Sequence, residues 1–226
     1  MESSSESQKI SGSSPRKVTN YKHAWLILGW PCYLTMFYLT GKYIPFEKCH
    51  IVHSVIDDLV PFNEVFILAY VSWYFLLASS LLYLLFTDAE TFKRAQIMII
   101  LSQVIGIAII ILWPSAQLLR PDPYPRDNIF TDLVRLIQSV DPPTCVLPSE
   151  HVALSLSILS AWWWKKDAKL WVKLFYTVWV VLICISVLFV KQHSFTDVWV
   201  AFLMVLVIEI VYDVLKRYGN GKEKMG

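Results

Sequence analysis

Residues 168–190 read AKLWVKLFYTVWVVLICISVLFV, and this stretch decides the class of the protein. Its two lysines lie near its start, and the apolar run that follows them is longer than a buried helix of a soluble protein needs. About 20 predominantly apolar residues are enough to cross the hydrocarbon core of a membrane as a helix. The stretch therefore predicts a transmembrane helix.

The composition of the whole chain agrees with this interpretation. Of its 226 residues, 56% are hydrophobic and 17% are charged, and the mean hydropathy is +0.50. A soluble enzyme, a nucleic-acid-binding protein and an extracellular disulfide scaffold all need a mostly polar exterior, so the composition disfavours these three classes. The formal net charge of +2 is too small to indicate a polyanionic partner.

Six apolar segments predict an all-α integral membrane protein, a bundle of six transmembrane helices with interfacial helices in its outer loops. The membrane domain is expected over residues 23–218. The polar residues 1–22 are expected to form a disordered tail, and residues 219–226 a short cytoplasmic tail. The six segments cover residues 24–41, 64–87, 95–113, 149–164, 168–190 and 195–215.

The distribution of basic residues predicts an orientation. With six crossings, the two long connections, 42–63 and 114–148, share one face of the membrane, and both termini share the other. The terminal face holds 14 of the 20 lysines and arginines. Because cytoplasmic loops carry the excess of Lys and Arg, both termini are predicted to be cytoplasmic and both long loops extracytoplasmic, in the cell membrane.

Two segments of the long loops have apolar residues at helical spacing. They are CHIVHSVIDDLVPF at residues 49–62 and DNIFTDLVRLIQSVD at residues 127–141. Such segments either lie along the interface or cap the bundle, or they are solvated loop helices, and the pattern leaves both alternatives open.

Three polar clusters fall at the outer ends of the later spans, around Arg120, at 148–151 and at 193–197. His193 and Asp197 are four residues apart, which puts their side chains on one helical face. The carboxylate can then hold one imidazole nitrogen and leave the other free for nucleophilic attack. A histidine, an aspartate or an arginine at a membrane boundary often has a structural role, but the joint placement of all three on one face favours a functional one.

The cluster at 148–151 is typical of a helix start that binds an anion. Proline is tolerated in the first turn, and the hydroxyl of Ser149 can satisfy a free amide there. The exposed amides and the positive end of the helix dipole favour phosphate, and His151 would lie within that first turn.

The three clusters together resemble the signature of the type 2 phosphatidic acid phosphatase superfamily, K-x6-R-P, P-S-G-H and S-R-x5-H-x3-D. Trp113, Glu150 and Val187 replace the Lys, Gly and Arg of those motifs. The Asp-Pro-Pro, Lys-Gln-His and Asp-Val stretches are most similar to the inositol phosphorylceramide synthase-like branch, whose members transfer a phosphoryl headgroup between lipids. Lys191 and Arg126 are candidates to restore the missing positive charge, and each could equally be an interfacial cation.

The resemblance implies a mechanism without metal or other cofactor. His193 would attack phosphorus and form a phosphohistidine, Asp197 would orient it, and His151 would protonate the leaving alcohol. His151 would then activate water for hydrolysis, or a second alcohol for transfer. Arg120 and Ser149 would stabilise the phosphoryl oxygens.

Other residues have alternative roles. Glu150, placed with the phosphate-binding residues, either favours the protonated form of His151 or compensates the helix dipole. Cys49 and Cys145 both lie in outer loops, where an oxidising compartment would permit a disulfide. His50 and His53 have helical spacing but no clear third ligand, so no metal site is predicted.

The leading functional hypothesis is a membrane-embedded lipid phosphatase that hydrolyses a lipid phosphate or pyrophosphate. Its closest rival is a lipid phosphotransferase with the same residues and an alcohol acceptor. A third hypothesis is a non-catalytic protein that binds or transports lipid. The expected partners are a lipid phosphate substrate and membrane lipids, with no nucleic acid.

Overall fold

The computed structural model describes residues 20–223, and side chains through residue 218. Most of the predicted N-terminal tail, residues 1–19, lies outside this range, as do residues 224–226 of the predicted C-terminal tail. Residues 219–223 of that tail continue the backbone of the last helix.

The described chain is all-α apart from two strands of two residues each, which confirms the predicted fold class at this level. Its eight α-helices are α1 (Gly29–Tyr43), α2 (Val55–Leu59), α3 (Ile67–Thr87), α4 (Ala89–Leu112), α5 (Ile129–Val140), α6 (Glu150–Trp164), α7 (Leu170–Phe189) and α8 (Phe195–Glu223). Short 3-10 helices cover Lys22–Leu28, Phe46–Lys48 and Glu64–Phe66. The strands β1 (His50–Ile51) and β2 (Ser115–Ala116) pair in parallel.

Four helices of the described chain are long and apolar enough to cross a membrane, and they make the chain a membrane protein. They cover Glu64–Thr87, Ala89–Leu112, Leu170–Phe189 and Phe195–Tyr218.

The two other predicted spans form shorter α-helices. Helices α1 and α6 have 15 residues each. At 1.5 Å per residue such a helix is about 22 Å long, less than the ~30 Å of a hydrocarbon core. Helix α1 is extended at its start by the 3-10 helix Lys22–Leu28, whereas α6 begins directly after Pro148 and ends at the pair Lys165 and Lys166.

Asp88 joins α3 to α4. Its carboxylate caps α4 by accepting a hydrogen bond from the Thr91 amide at 3.0 Å, and it accepts a second from Nζ of Lys165 at 2.6 Å. Burial alone would raise the pKa of Asp88, but the hydrogen bonds from Lys165 and Thr91 outweigh that effect and lower it. Lys165 follows α6, so this ion pair fastens α6 to the connection between α3 and α4.

Helix α6 lies at the centre of the bundle. It packs against α3, α4, α7 and α8. Its residues Ala153, Leu154 and Ile158 are fully buried, whereas the outer helices expose large apolar side chains such as Phe75 and Leu112. Exposed apolar surface of this extent needs a cover of lipid, and α6 is enclosed mainly by protein.

Helices α2 and α5 cover the end of the bundle at which α6 and α8 begin, termed here the capped end. Asn128 caps α5, Thr131 and Val134 are buried on its inner face, and Ile129 is exposed on its outer face. Gln138 Nε2 of α5 donates to the carbonyl of Val190 at 3.1 Å. The predicted helix in 127–141 is therefore confirmed, and it packs on the bundle.

At the far end of the bundle, opposite the capped end, a buried arginine ties three helices together. Arg94 of α4 forms ion pairs with Glu209 and with Asp213 of α8, the latter at 2.9 Å. Glu209 also accepts a hydrogen bond from Ser160 of α6. The guanidinium lies over the ring of Tyr212, 4.9 Å from its centroid.

Candidate active site

The loop between α7 and α8 is held by the short helix α2. The buried carboxylate of Asp57 accepts hydrogen bonds from the Ser194 hydroxyl at 2.5 Å and from the Phe195 amide at 2.7 Å. In return, Nζ of Lys191 donates to the carbonyls of Asp57 and Val60 at the end of α2. Helix α2 thereby fixes the first residues of α8.

His193 and Asp197 form the predicted pair at the start of α8. Nδ1 of His193 lies 3.3 Å from Oδ2 of Asp197, which also accepts the Ser194 amide at 2.9 Å. Asp197 is fully buried. Because a carboxylate partner favours the proton on Nδ1, it leaves the lone pair of Nε2 available, which is the form a nucleophilic histidine needs.

His151 lies across a pocket from this pair. Its ring packs between those of Tyr70 and Trp73, with centroid distances of 4.4 and 4.5 Å, and its centroid is 5.9 Å from that of His193. Nε2 of His151 is buried and has no hydrogen-bond partner among the described residues. The structure therefore brings together the three residues predicted to be catalytic.

Ser149 does not cap α6 through its side chain, contrary to the prediction. The Ser149 hydroxyl makes no capping hydrogen bond and is buried without a partner in the described chain. The Ser149 amide donates to the Asp197 carbonyl at 3.2 Å, which joins the start of α6 to α8. The first helical hydrogen bond to Ser149 comes from Ala153, so the amides of residues 150–152 have no acceptor within the helix.

Glu150 is the second unpartnered group at this helix start. Both of its carboxylate oxygens are buried, and neither has a hydrogen-bond partner among residues 20–218. Its Oε1 lies directly against the backbone of Gly106 in α4, where any Cβ would collide with it. Buried polar groups in folded proteins are nearly always hydrogen-bonded. The unpartnered Glu150 and His151 side chains line one pocket and mark a place for a polar ligand, whereas Ser149 does not line that pocket.

The pocket has a volume of about 270 Å³. It lies between α1 and α3, and its floor is formed by Glu150, His151 and His193. At its mouth Leu34, Tyr74 and Val140 are more than half exposed. Five aromatic side chains line its walls: Tyr33, Phe37, Tyr70, Trp73 and Tyr74.

Asp141 provides a second carboxylate on the pocket wall. Its Oδ2 accepts hydrogen bonds from the Tyr70 hydroxyl at 3.2 Å and from Nε2 of Gln192 at 2.9 Å. The pocket therefore has two carboxylates, Asp141 and Glu150, and no lysine or arginine lines it in the part of the chain that the structure describes.

Arg120, predicted to bind phosphate, closes the end of α5 and does not line the pocket. Its guanidinium donates to the carbonyl of Gln138 at 3.0 Å and to that of Asp141 at 2.6 Å. Burial lowers the pKa of Arg120, and the charge of Asp141 opposes that effect. The carbonyls at the C-terminus of a helix attract a cation, which explains this position.

The two candidates for replacing the missing cations also have other partners. Lys191 is bound to α2, as described above, and burial lowers its pKa against the opposing charge of Asp57. Arg126 forms a bidentate ion pair with Glu64, with both contacts at 2.6 Å. Trp113, at the position of the family lysine, stacks on His50. None of these residues lines the pocket.

Cys49 and Cys145 are free thiols in the structure, and their disulfide stays a prediction. Cys145 lies at the pocket wall, and burial raises the pKa of its thiol, with a smaller contribution from Cys49. Among residues 20–223, no three His, Cys, Asp or Glu side chains form a group that could hold a metal ion. His53 pairs with Asp58 at 2.9 Å.

Sequence reasoning did not identify Asp57, Asp141 or Gln192 as parts of the site. Asp57 could have been found from its capping box with Ser54, which predicts a helix start in the first long loop. Gln192 directly precedes His193, but nothing in its local sequence indicates that it binds Asp141. The aromatic walls come from α1 and α3, far from the three polar clusters in the sequence.

Comparison of the chain with protein-family models, curated proteins and solved structures finds no match.

Proposed function

We propose that the chain is a membrane-embedded enzyme that hydrolyses a lipid phosphate ester through a phosphohistidine. The observation that carries the proposal is that His193, held by its partner Asp197, and the unpartnered His151 line one pocket. Their resemblance to the phosphatidic acid phosphatase motifs supports the same chemistry.

In the first step, Nε2 of His193 attacks phosphorus. A phosphorus–nitrogen bond forms as the bond from phosphorus to the lipid oxygen breaks, and His151 gives its proton to that oxygen. The Nδ1 proton of His193 stays hydrogen-bonded to Asp197, whose negative charge stabilises the cationic phosphohistidine.

In the second step, His151, now neutral, takes a proton from water as the water oxygen attacks phosphorus. The phosphorus–nitrogen bond breaks, and the phosphoryl group leaves with the water oxygen. The amides that open α6 are the donors for the phosphoryl oxygens, in keeping with the preference of a helix N-terminus for anions.

Transfer to an alcohol is a second candidate, favoured by the mouth of the pocket. Leu34, Tyr74 and Val140 give this mouth an exposed apolar rim, which suits a lipid acceptor as well as a lipid donor. An acceptor hydroxyl would take the place of water in the second step, with the same proton transfer to His151.

For the arrangement of the chain in the membrane, we propose that α1 and α6 cross it together with the four long helices. Both termini then lie in the cytoplasm, and the capped end faces outward in the cell membrane. Epitope tags at both termini should be inaccessible to antibody on intact cells and become accessible on permeabilisation. Labelling of either terminus on intact cells would refute this orientation.

The chemistry is tested by trapping the intermediate. The full chain, purified in detergent, is incubated with 32P-labelled lipid phosphates, with and without alcohol acceptors. The wild type should release water-soluble label, as inorganic phosphate from a monoester or as headgroup phosphate from a diester, or label the acceptor if it is a transferase. With a substrate whose leaving group needs no protonation, His151→Ala should accumulate acid-labile, base-stable label on His193.

A matched variant separates catalysis from lipid binding. His193→Ala should lose all label and turnover while it retains its unfolding temperature. If folded His193→Ala keeps the activity of the wild type, or if no label is trapped and no lipid is turned over, the protein is a non-catalytic lipid-binding protein and the proposal is wrong.

A further inference from the structure

We propose that the pocket accepts a phosphodiester lipid whose headgroup carries a positively charged ammonium, such as choline or ethanolamine. This inference rests on the proposed function and names the substrate class of the same site. The juxtaposition behind it is a wall of aromatic rings beside two carboxylates, Glu150 and Asp141, in a pocket that no lysine or arginine lines among the described residues.

The charges around the pocket favour a phosphodiester over a phosphomonoester. A phosphomonoester carries up to two negative charges, and cations in contact with the phosphate bind it most strongly. The three predicted cations of this chain, Arg120, Lys191 and Arg126, are bound to carbonyls or to Glu64 instead. A phosphodiester carries one negative charge, which an ammonium headgroup neutralises within the same molecule.

The buried side chain of Glu150 favours a cationic ligand. A carboxylate buried without a partner is costly, and a ligand cation beside it offsets that cost. Oδ1 of Asp141 is likewise free of hydrogen bonds from described residues, because both donors converge on Oδ2. Glu150 and Asp141 both line the pocket, so an ammonium group bound there would lie near two carboxyl groups.

The aromatic side chains of the pocket also favour an ammonium group. Tyr70 and Trp73 pack against His151, where the phosphorus would react. Tyr33 and Phe37 lie one helical turn apart on α1 and, with Tyr74 of α3, line the part of the pocket beyond this stack. The faces of aromatic rings attract quaternary and primary ammonium groups.

Size and access agree with a headgroup. The cavity of about 270 Å³ is below the ~300–1,000 Å³ of pockets that enclose a drug-sized ligand. It therefore holds a headgroup and not a whole lipid, and the acyl chains would leave through the apolar mouth at Leu34 and Tyr74. In the reaction, the bond from phosphorus to the diacylglycerol oxygen breaks, and the headgroup phosphate stays on His193.

This inference is tested by measuring lipid binding to a variant that cannot turn the lipid over. Folded His193→Ala, in maltoside detergent, is titrated with monomeric dihexanoyl lipids while tryptophan fluorescence is recorded. Phosphatidylcholine or phosphatidylethanolamine should bind about tenfold more tightly than phosphatidylglycerol or phosphatidic acid. Equal or tighter binding of the two anionic lipids would overturn the headgroup assignment.

Two variants, each with a control, locate the headgroup. In the His193→Ala background, Glu150→Gln should weaken binding of the ammonium lipids about tenfold, while Glu47→Gln, at an exposed position, should not. Tyr74→Leu should weaken it severalfold, and Tyr38→Leu, an exposed tyrosine of α1 outside the pocket, should leave it unchanged. Unchanged binding in both pocket variants contradicts the inference.

The two proposals fail separately. Selective binding of ammonium lipids by a protein that forms no phosphohistidine would disprove the enzymatic function and leave the headgroup pocket established. Turnover of phosphatidic acid through phosphohistidine, with no preference for ammonium lipids in binding, would establish the enzyme and disprove the headgroup.

Discussion

Asp57 and Ser194 are 137 positions apart in the sequence, and the Ser194 hydroxyl donates to Oδ2 of Asp57 at 2.5 Å. Through this contact and the Phe195 amide, a five-residue helix in the first long loop holds the start of the helix that carries Asp197. Under the proposed function Asp57 is a positioning residue, because it contacts Ser194 and Phe195, which precede Asp197, and does not line the pocket.

Asp57→Asn should lower kcat between about 10- and 100-fold, because a small displacement of a reacting group costs that much. The binding constant for lipid should stay within about twofold of the wild-type value, because Asp57 does not line the pocket. Asp58→Asn is the matched control, since Asp58 is exposed and pairs with His53. Loss of lipid binding in parallel with kcat would mean that Asp57 has only a general structural role.

Asp197→Asn should reduce turnover by roughly 10²- to 10⁴-fold, the range expected for a group that orients and charges a catalytic base or nucleophile. The amide keeps the shape of the side chain but removes the negative charge that faces Nδ1 of His193. Turnover is measured together with the yield of phosphohistidine after rapid quenching. A variant with normal yield and normal turnover would show that the pair is only structural.

Gly106→Ala should displace the carboxylate of Glu150, because the new Cβ would collide with its Oε1. The expected cost is about 1–3 kcal/mol in the free energy of unfolding if the bundle cannot adjust. If Glu150 swings away, stability is kept and lipid affinity changes. Gly41→Ala is the control, because nothing lies within 4 Å of the position that its new methyl group would occupy in α1, and it should stabilise by about 0.5–1 kcal/mol. Wild-type stability and affinity in Gly106→Ala would contradict the packing of Glu150.

Two variants of Asp88 distinguish the contribution of its helix cap to stability from that of its ion pair. Asp88→Asn keeps the cap of α4 but loses the charge facing Lys165, and should cost about 0.2–1 kcal/mol. Asp88→Ala loses both and should cost about 1 kcal/mol more. Chemical denaturation in detergent measures the two differences, and equal losses in both variants would mean that the cap contributes nothing.

The pH dependence of the same pair follows from the lowered pKa of Asp88. A carboxylate whose pKa is lower in the folded state stabilises that state above its unfolded pKa, ordinarily 3.8, and loses this contribution as the pH falls through the folded value. The stability difference between wild type and Asp88→Asn should be constant from pH 7 to about pH 5 and should shrink as the pH falls below 3.8, the unfolded pKa. A difference that persists in acid would contradict the ion pair.

Local spacing accounts for what the sequence predicts well. The four long helices follow from uninterrupted apolar runs, and the pairing of His193 with Asp197 follows from their separation by four residues. The helix in 127–141 follows from its apolar period. Each of these features depends on residues that are neighbours along the chain.

Contacts between distant segments account for what the sequence did not predict. Arg120 has the residue type of a phosphate ligand, yet the carbonyls at the end of α5 take its donors. Asp141 reaches the pocket because Tyr70, 71 positions away, donates to it. Apolar composition also does not distinguish a short central helix such as α6 from a helix that crosses the whole membrane, because both are apolar.

The buried Arg94 has a mechanical consequence for the pocket at the other end of the bundle. It locks α4, which supports Glu150 through Gly106, to α8, which carries Asp197, so these two helices cannot slide past each other without breaking an internal ion pair. Helix α1 takes part in no ion pair within the described range. Of the described helices that line the pocket, α1 has the fewest buried residues, Thr40 alone, so we expect this wall to move when a ligand binds while α4 and α8 keep their positions.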